Sequence, residues 1–265
     1  MAKVDYSKPL KEEYQRLFDT CIIREDKNEE VENLLSKIEI NQDRYVAIEN
    51  DLGIPWYYIA VVHNMESSLN FNKHLHNGDP LTDRTFHVPA GRPKSGEPPF
   101  TWEESAVDAL KLRRLYKWQD WSLPGVLYNL EGYNGWGYRM YHSHVLSPYL
   151  WSFSNQYSSG KYVADGRWSD TAVSKQAGAA VLLRRMAEKG AIEFIKSIEV
   201  GPEAPVPLIR YSSEEKSNQA EELQMFLNRL PGIYVKIDGY PGEKTSDAFK
   251  QVTGYYLHGD PRNES

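Results

Sequence analysis

The sequence predicts a mainly α chain: a helical domain with a small irregular or hairpin lobe, followed by a small helical module. Three observations lead there. Apolar residues recur at helical spacing through the first part of the chain, Thr101 and Glu104 form a capping-box pattern ahead of another apolar run, and two helical stretches flank a Gly/Pro turn near the end. With 265 residues, 40% of them hydrophobic, the chain can bury a proper core and holds one to two domains.

The elements follow in order. Pro9 to Thr20 carries Leu10, Tyr14, Leu17 and Phe18 on one face, Asn28 to Ile38 carries Val31, Leu34, Leu35 and Ile38, and Gln42 to Leu52 is a third helix. Gly53 closes that helix and Pro55 suits the first turn of the next, which runs through Trp56-Tyr57-Tyr58-Ile59-Ala60-Val61-Val62 towards Glu66. Residues 72 to 100 lose periodicity and are rich in Pro, Gly, His and Asp, the composition of a binding loop or small hairpin. Helix resumes after Thr101. Leu123 to Leu130 reads as a short apolar helix ended by Gly132-Tyr133-Asn134-Gly135-Trp136-Gly137, residues 148 to 168 as aromatic and polar loop, and Ser169 to Lys189 as a strong helix stopped by Gly190.

A composition shift then divides the chain. Gly201 to Pro207 is a stiff, proline-rich linker and Ser212 to Ser217 is polar, giving a main domain over 1–200, a linker over 201–217 and a small module over 218–265. The module pairs a helix bearing Ala220, Leu223, Leu227 and Leu230 with a second over Thr245 to Val252, joined through Asp238-Gly239-Tyr240-Pro241-Gly242. No internal repeats are present.

Composition also excludes. A net charge of −6 argues against a nucleic-acid partner, which requires a basic face. Cys21 is the only cysteine, so there is neither a disulfide framework nor a cysteine metal site. No run of about 18 apolar residues exists to span a membrane, and the first ten residues lack a secretory h-region. A soluble monomer made in the cytoplasm is expected.

Glu66 is the candidate centre of chemistry. It shares a helix face with Ile59 and Val62 and so points inward, where desolvation raises a carboxyl pKa towards that of a working general acid. The competing reading is a buried acid neutralised by an Arg or by hydrogen bonds.

Glu66-Ser67 at a helix end, a loop with Gly78 and Asp79 behind it, and Tyr133-Asn134-Gly135 downstream resemble the lysozyme superfamily, closest to goose-type lysozymes and lytic transglycosylases, across roughly residues 40 to 190. The resemblance implies a lysozyme-like helical domain in which Glu66 is the acid and Tyr133 and Asn134 shape the floor of a sugar groove. It also implies a loop aspartate that holds the attacking water. Asp79 is the closer match by distance from Glu66, and Asp83 is the second candidate. The Gly-x-Gly of many transglycosylases is absent between the acid and the Tyr-Asn segment. In the tail, Leu223-Gln224, Asp238-Gly239-Tyr240-Pro241-Gly242, Thr245 and Ala248-Phe249 resemble the small peptidoglycan-binding module.

The expected activity is that of a muramidase. It cleaves the β-1,4 bond between N-acetylmuramic acid and N-acetylglucosamine in bacterial peptidoglycan without a cofactor. Glu66 donates the proton and Asp79 or Asp83 serves as base, a division of labour that needs two acids with separated pKa values. Trp136, flanked by glycines, is expected to stack on sugar, and His63, three residues before Glu66, to line the cleft. With no leader, the expected setting is a phage-type endolysin or a delivered effector acting on the wall. Three rival readings stand beside it: a lytic transglycosylase needing no second carboxylate, a non-catalytic wall-binding structural protein, and a zinc wall peptidase using His74-x-His76 with Asp79. The last lacks a His-Glu-x-x-His helix.

Overall fold

The computed structural model describes residues 4–164, 166–195 and 209–263. The chain divides into two compact units, Met1–Ser197 and Ile198–Ser265. Within the expected linker, residues 201–208 lie outside the described residues. The protein is mainly helical.

The first unit comprises α1 (Lys8–Asp19), α2 (Asn28–Ile40), α3 (Gln42–Leu52), α4 (Trp56–Ser67), α5 (Trp102–Leu112), α6 (Leu123–Asn134), α7 (Gly137–Tyr141), α8 (Pro148–Trp151) and α9 (Ala179–Glu188), with a hairpin of β1 (Lys161–Ala164) and β2 (Arg167–Ser169) between α8 and α9. α4 is the axis of the unit. It packs against α3, α6 and α9, and Tyr57 through Asn64 are all buried. A helix apolar on every side belongs at the centre of a core, so Glu66 is desolvated because the whole helix is interior, not because one stripe faces inward. Gly53, at φ +66, makes the left-handed turn from α3 towards α4. Beyond α4, Ser68 and Leu69 both hold positive φ, while their N–H groups return to the carbonyls of Asn64 and His63.

Several expected elements differ. The helix expected over Ser169 to Lys189 begins only at Ala179. Gly178 ahead of it lies so close to the Leu150 carbonyl that a Cβ would sit 2.2 Å away, and tertiary ties hold residues 170–178 irregular. The hairpin is not in residues 72 to 100, where Lys73 and Pro80 form only an isolated bridge, but at 161–169, with Lys161 opposite Ser169 and Tyr162 opposite Trp168. α8 likewise occupies sequence expected as loop, opened by Pro148 in its first turn. α6 runs through Gly132 to Asn134. That glycine is required for packing rather than termination, since a Cβ there would meet the Trp136 ring at 2.9 Å.

The Thr101/Glu104 capping box forms in full: Glu104 N–H donates to Thr101 Oγ1 at 3.2 Å and Thr101 N–H to the Glu104 carboxylate at 2.7 Å. Residues 72 to 100, though irregular, are strongly tied. Ser105 and Asp108 on α5 anchor His74 and His76, and Arg92 forks onto Asp108 at 2.7 and 2.8 Å.

In the second unit, α10 (Asn218–Leu227) and α11 (Glu243–Thr253) enclose a small core of Leu227, Ile233 and Ala248. Ser217 caps α10 by accepting the Ala220 N–H at 3.1 Å. The Leu-Gln and Asp-Gly motifs explain each other physically: the Gln224 side chain is buried and clasps the backbone of Asp238 and Gly239.

Candidate active site

Glu66 occupies the last turn of α4, and residues from three other elements converge on it. Tyr149 of α8 donates its hydroxyl hydrogen to Glu66 Oε1 at 3.0 Å. Tyr58 stands two turns earlier on α4, Tyr133 comes from the last turn of α6, and Arg113 follows α5 with its guanidinium 4.3 Å from the centre of the Tyr133 ring. Burial pushes the Glu66 carboxyl up to about 7, against the opposing pull of the Tyr149 hydroxyl and the Arg113 charge. Burial, with the nearby Glu66 charge, also lifts the Tyr133 and Tyr149 hydroxyls far above their ordinary range, so both stay neutral, Tyr149 as the donor to Glu66. The Tyr58 hydroxyl is buried without a hydrogen-bond partner among the described residues.

Gln176 fixes the helix end. Its amide donates to the carbonyls of Asn64 and Met65 at 3.0 and 3.1 Å, satisfying acceptors that a helix terminus leaves open. Gly78, at φ +78, packs against the Glu66 carbonyl, where a Cβ would lie 3.0 Å away.

Two hollows share Gly135 in their walls, and the residues that touch Glu66 belong to those walls, although Glu66 itself lines neither. One, of about 640 Å³, has Arg113, Tyr133 and Trp136 in its wall. The other, of about 330 Å³, is bordered by Met65, Asn134, Tyr149, Tyr162 and Gln176. Glu66 bonds to a side chain of the second and feels the charge of one in the first.

No protein-family model, curated protein or solved structure matches this chain.

Of the residues singled out in the sequence, Tyr133 and Trp136 line one hollow and Asn134 the other, with Glu66 behind them in contact with Tyr149. His63 does not. Its ring is fully buried, packed against Tyr45, Phe71 and Trp102 with Tyr45 Oη 3.0 Å from Nδ1. Desolvation lowers its pKa to about 4. It is a core residue rather than a cleft residue, because α4 is enclosed on the side facing α3 and α5.

Asp79 is buried, and its carboxylate accepts the N–H groups of Phe86 and His87 at 2.8 and 2.9 Å and pairs with His87 Nδ1 at 2.6 Å. Burial raises its pKa, but the His87 ring and the two backbone donors outweigh this and hold it below the usual carboxylate range. These bonds close the loop and leave little of the carboxylate for a water. Asp79→Asn should therefore act first on stability. Losing the charge-assisted bonds is expected to cost about 2 kcal/mol in urea melts at neutral pH. Because the folded pKa is depressed, the Asp79 contribution is complete above the ordinary aspartate pKa and disappears as pH falls through the folded value. An unchanged melt at pH 7 would contradict the loop-closing role.

Asp83 is exposed, and its own carbonyl accepts from His74 Nε2 at 2.8 Å. The zinc reading loses its ligands: His74 is held by Ser105 and that carbonyl, His76 by Asp108, and Asp79 by His87. Among the described residues no group of three or more His, Cys, Asp or Glu side chains is placed to share a metal ion.

Sequence reasoning missed Tyr58, Arg113, Tyr149 and Gln176. The Ser147-Pro148 pair was a usable helix-start signal for the element carrying Tyr149. Nothing local marks Gln176, whose role exists only through contacts more than a hundred residues away.

Proposed function

We propose that this protein cleaves the β-1,4 bond between N-acetylmuramic acid and N-acetylglucosamine in peptidoglycan, with Glu66 as the general acid. One observation carries the reading: a buried carboxyl pushed up to about 7 lies behind the walls of two hollows, hydrogen-bonded by Tyr149 of one and facing the charge of Arg113 of the other. Such a group is protonated often enough at neutral pH to donate to a leaving oxygen, and its conjugate base can take the proton back. Half-buried Trp136 offers a ring and exposed Asn134 an amide at the hollows, the mixture that orients a sugar. The resemblance of the second unit to a wall-binding module supports the same substrate.

The muramidase form needs a second carboxylate to position water. Asp79 is engaged by Phe86 and His87, and no other acid opposes Glu66 among the influences that set its pKa. This favours, as a second reading, the lytic transglycosylase route, where the muramic acid hydroxyl attacks and Glu66 serves first as acid and then as base. Mass spectrometry of products from purified peptidoglycan tests both. Reducing ends mark hydrolysis, 1,6-anhydro ends mark transglycosylation, and an intact polymer would defeat the enzymatic reading and leave a wall-binding role.

The activity should fall as pH rises through about 7, because the donor form of Glu66 is then lost. A lytic rate undiminished at pH 9 would be incompatible with Glu66 as the proton donor.

A further inference from the structure

The larger hollow has a charge that the rest of the chain does not predict. The protein is acidic, with 37 Asp and Glu against 31 Lys and Arg, yet Arg113, Arg114 and Lys117 all border this hollow and no carboxylate does. Among the described residues, none of these three forms an ion pair, whereas Arg44, Arg92, Arg139 and Arg185 each bind a carboxylate within 3.3 Å. Arg114 also holds a left-handed backbone, φ +58, at the start of a short turn over Leu115–Lys117. A non-glycine residue in that region is strained by order 1 kcal/mol or more, and such strain concentrates at functional sites. Aromatic rings line the same hollow. Trp118 stacks on Tyr128 at 19° between planes with ring centres 5.6 Å apart, and Trp136 lies 4.9 Å beyond Tyr128.

We propose that this hollow selects the carboxylate-bearing unit of the glycan: the glycan packs along the side of the hollow that Trp118 and Trp136 supply, and the carboxylate is held by Arg114 and Lys117. The site rests on the reading of the chain as a peptidoglycan-cleaving enzyme and adds the feature of the substrate that it recognises. A neutral aminosugar polymer would pack along the rings but leave both cations unanswered. The carboxylate has two sources in the wall, the lactyl arm of muramic acid and the attached peptide stem. Arg113 is left out of the pair because it borders the Glu66 cluster.

Calorimetric titration of the full chain carrying Glu66→Gln, which prevents turnover, tests this with three probes: chitotetraose, the peptide-free tetrasaccharide of alternating N-acetylglucosamine and N-acetylmuramic acid, and that tetrasaccharide bearing stem tripeptides. The expected result is roughly tenfold tighter binding of at least one acidic probe than of chitotetraose at low salt, from two exposed charge pairs, shrinking at 1 M salt. Arg114→Ala with Lys117→Ala should remove the preference without changing chitotetraose affinity. Preference for the peptide-free probe assigns the lactyl carboxylate, and preference only for the peptide-bearing probe assigns the stem. Equal affinity for all three probes, absence of binding, or a preference that survives the double substitution overturns the proposal. If wild-type protein still cuts the wall, only the charge selection fails; if it does not, the catalytic reading fails as well.

Discussion

The Glu66→Gln protein is expected to fold and to bind wall while losing at least about a hundredfold in lytic rate, the lower end of what general acid catalysis contributes. The amide keeps the shape and can still accept the Tyr149 hydroxyl, but it has no proton to give. Stability should move in the opposite direction. Burial holds the Glu66 carboxyl near 7 in the folded protein against an ordinary value of 4.5, so the folded state binds more protons between these limits. Wild-type stability therefore declines as pH rises from about 4.5 to about 7, and the glutamine variant is free of that loss. The two proteins should melt alike at pH 4, with the variant more stable by on the order of 3 kcal/mol at pH 8. Lytic assays and thermal melts at the two pH values give independent readouts. A rate loss below a hundredfold removes Glu66 as donor, whereas equal stability at pH 8 would mean that its carboxyl is solvated.

The main lines of this site were legible because α4 opens in the sequence with seven apolar and aromatic residues, Trp56 to Val62, and carries an acid in its last turn. Uninterrupted apolar character predicts burial, and an acid at the end of a buried helix is desolvated wherever the helix goes. The carboxylate network of residues 72 to 100 was not legible. Asn77-Gly78-Asp79-Pro80 is a good turn sequence, but only the folded loop brings the Phe86 and His87 N–H groups onto Asp79. His63 failed for a related reason: a position three residues before Glu66 does not say which wall of α4 it faces, and that wall is built by Tyr45, Phe71 and Trp102. The helix expected from Ser169 was overextended because local propensity says nothing about Gly178 pressing on the Leu150 backbone. Helical periodicity located the scaffold, and long-range polar ties decided the rest.

Gln224→Ala should unfold the second unit, or loosen it enough to abolish its protection. Gln224 is 1% exposed and is the polar centre of a unit whose described buried cluster is small: Leu227, Ile233 and Ala248, with Leu223, Leu230 and Val235 packed against it. Its Oε1 accepts the N–H groups of Asp238 and Gly239, each at 2.9 Å. Its Nε2, with two hydrogens, serves three acceptors at 3.0 to 3.1 Å: Asp238 Oδ1, the Tyr240 carbonyl and Thr245 Oγ1. Truncation strands two backbone donors that the turn cannot rotate towards water, at about 1–3 kcal/mol each. A single core in a unit of under about 70 residues supplies only about 3–5 kcal/mol in total, so the loss exhausts it. Hydrogen exchange should then show the amides of residues 238–246 unprotected, while Met225→Ala, at a 43% exposed neighbour, leaves them protected. If the unit is the wall-binding module, the Gln224→Ala protein also releases insoluble wall sacs but turns over short soluble glycan at the wild-type rate, because tethering raises local substrate concentration without touching the acid. Intact protection at residues 238–246 would mean that the turn is held by something other than Gln224, and sacs still bound by an unfolded unit would place wall binding elsewhere in the chain.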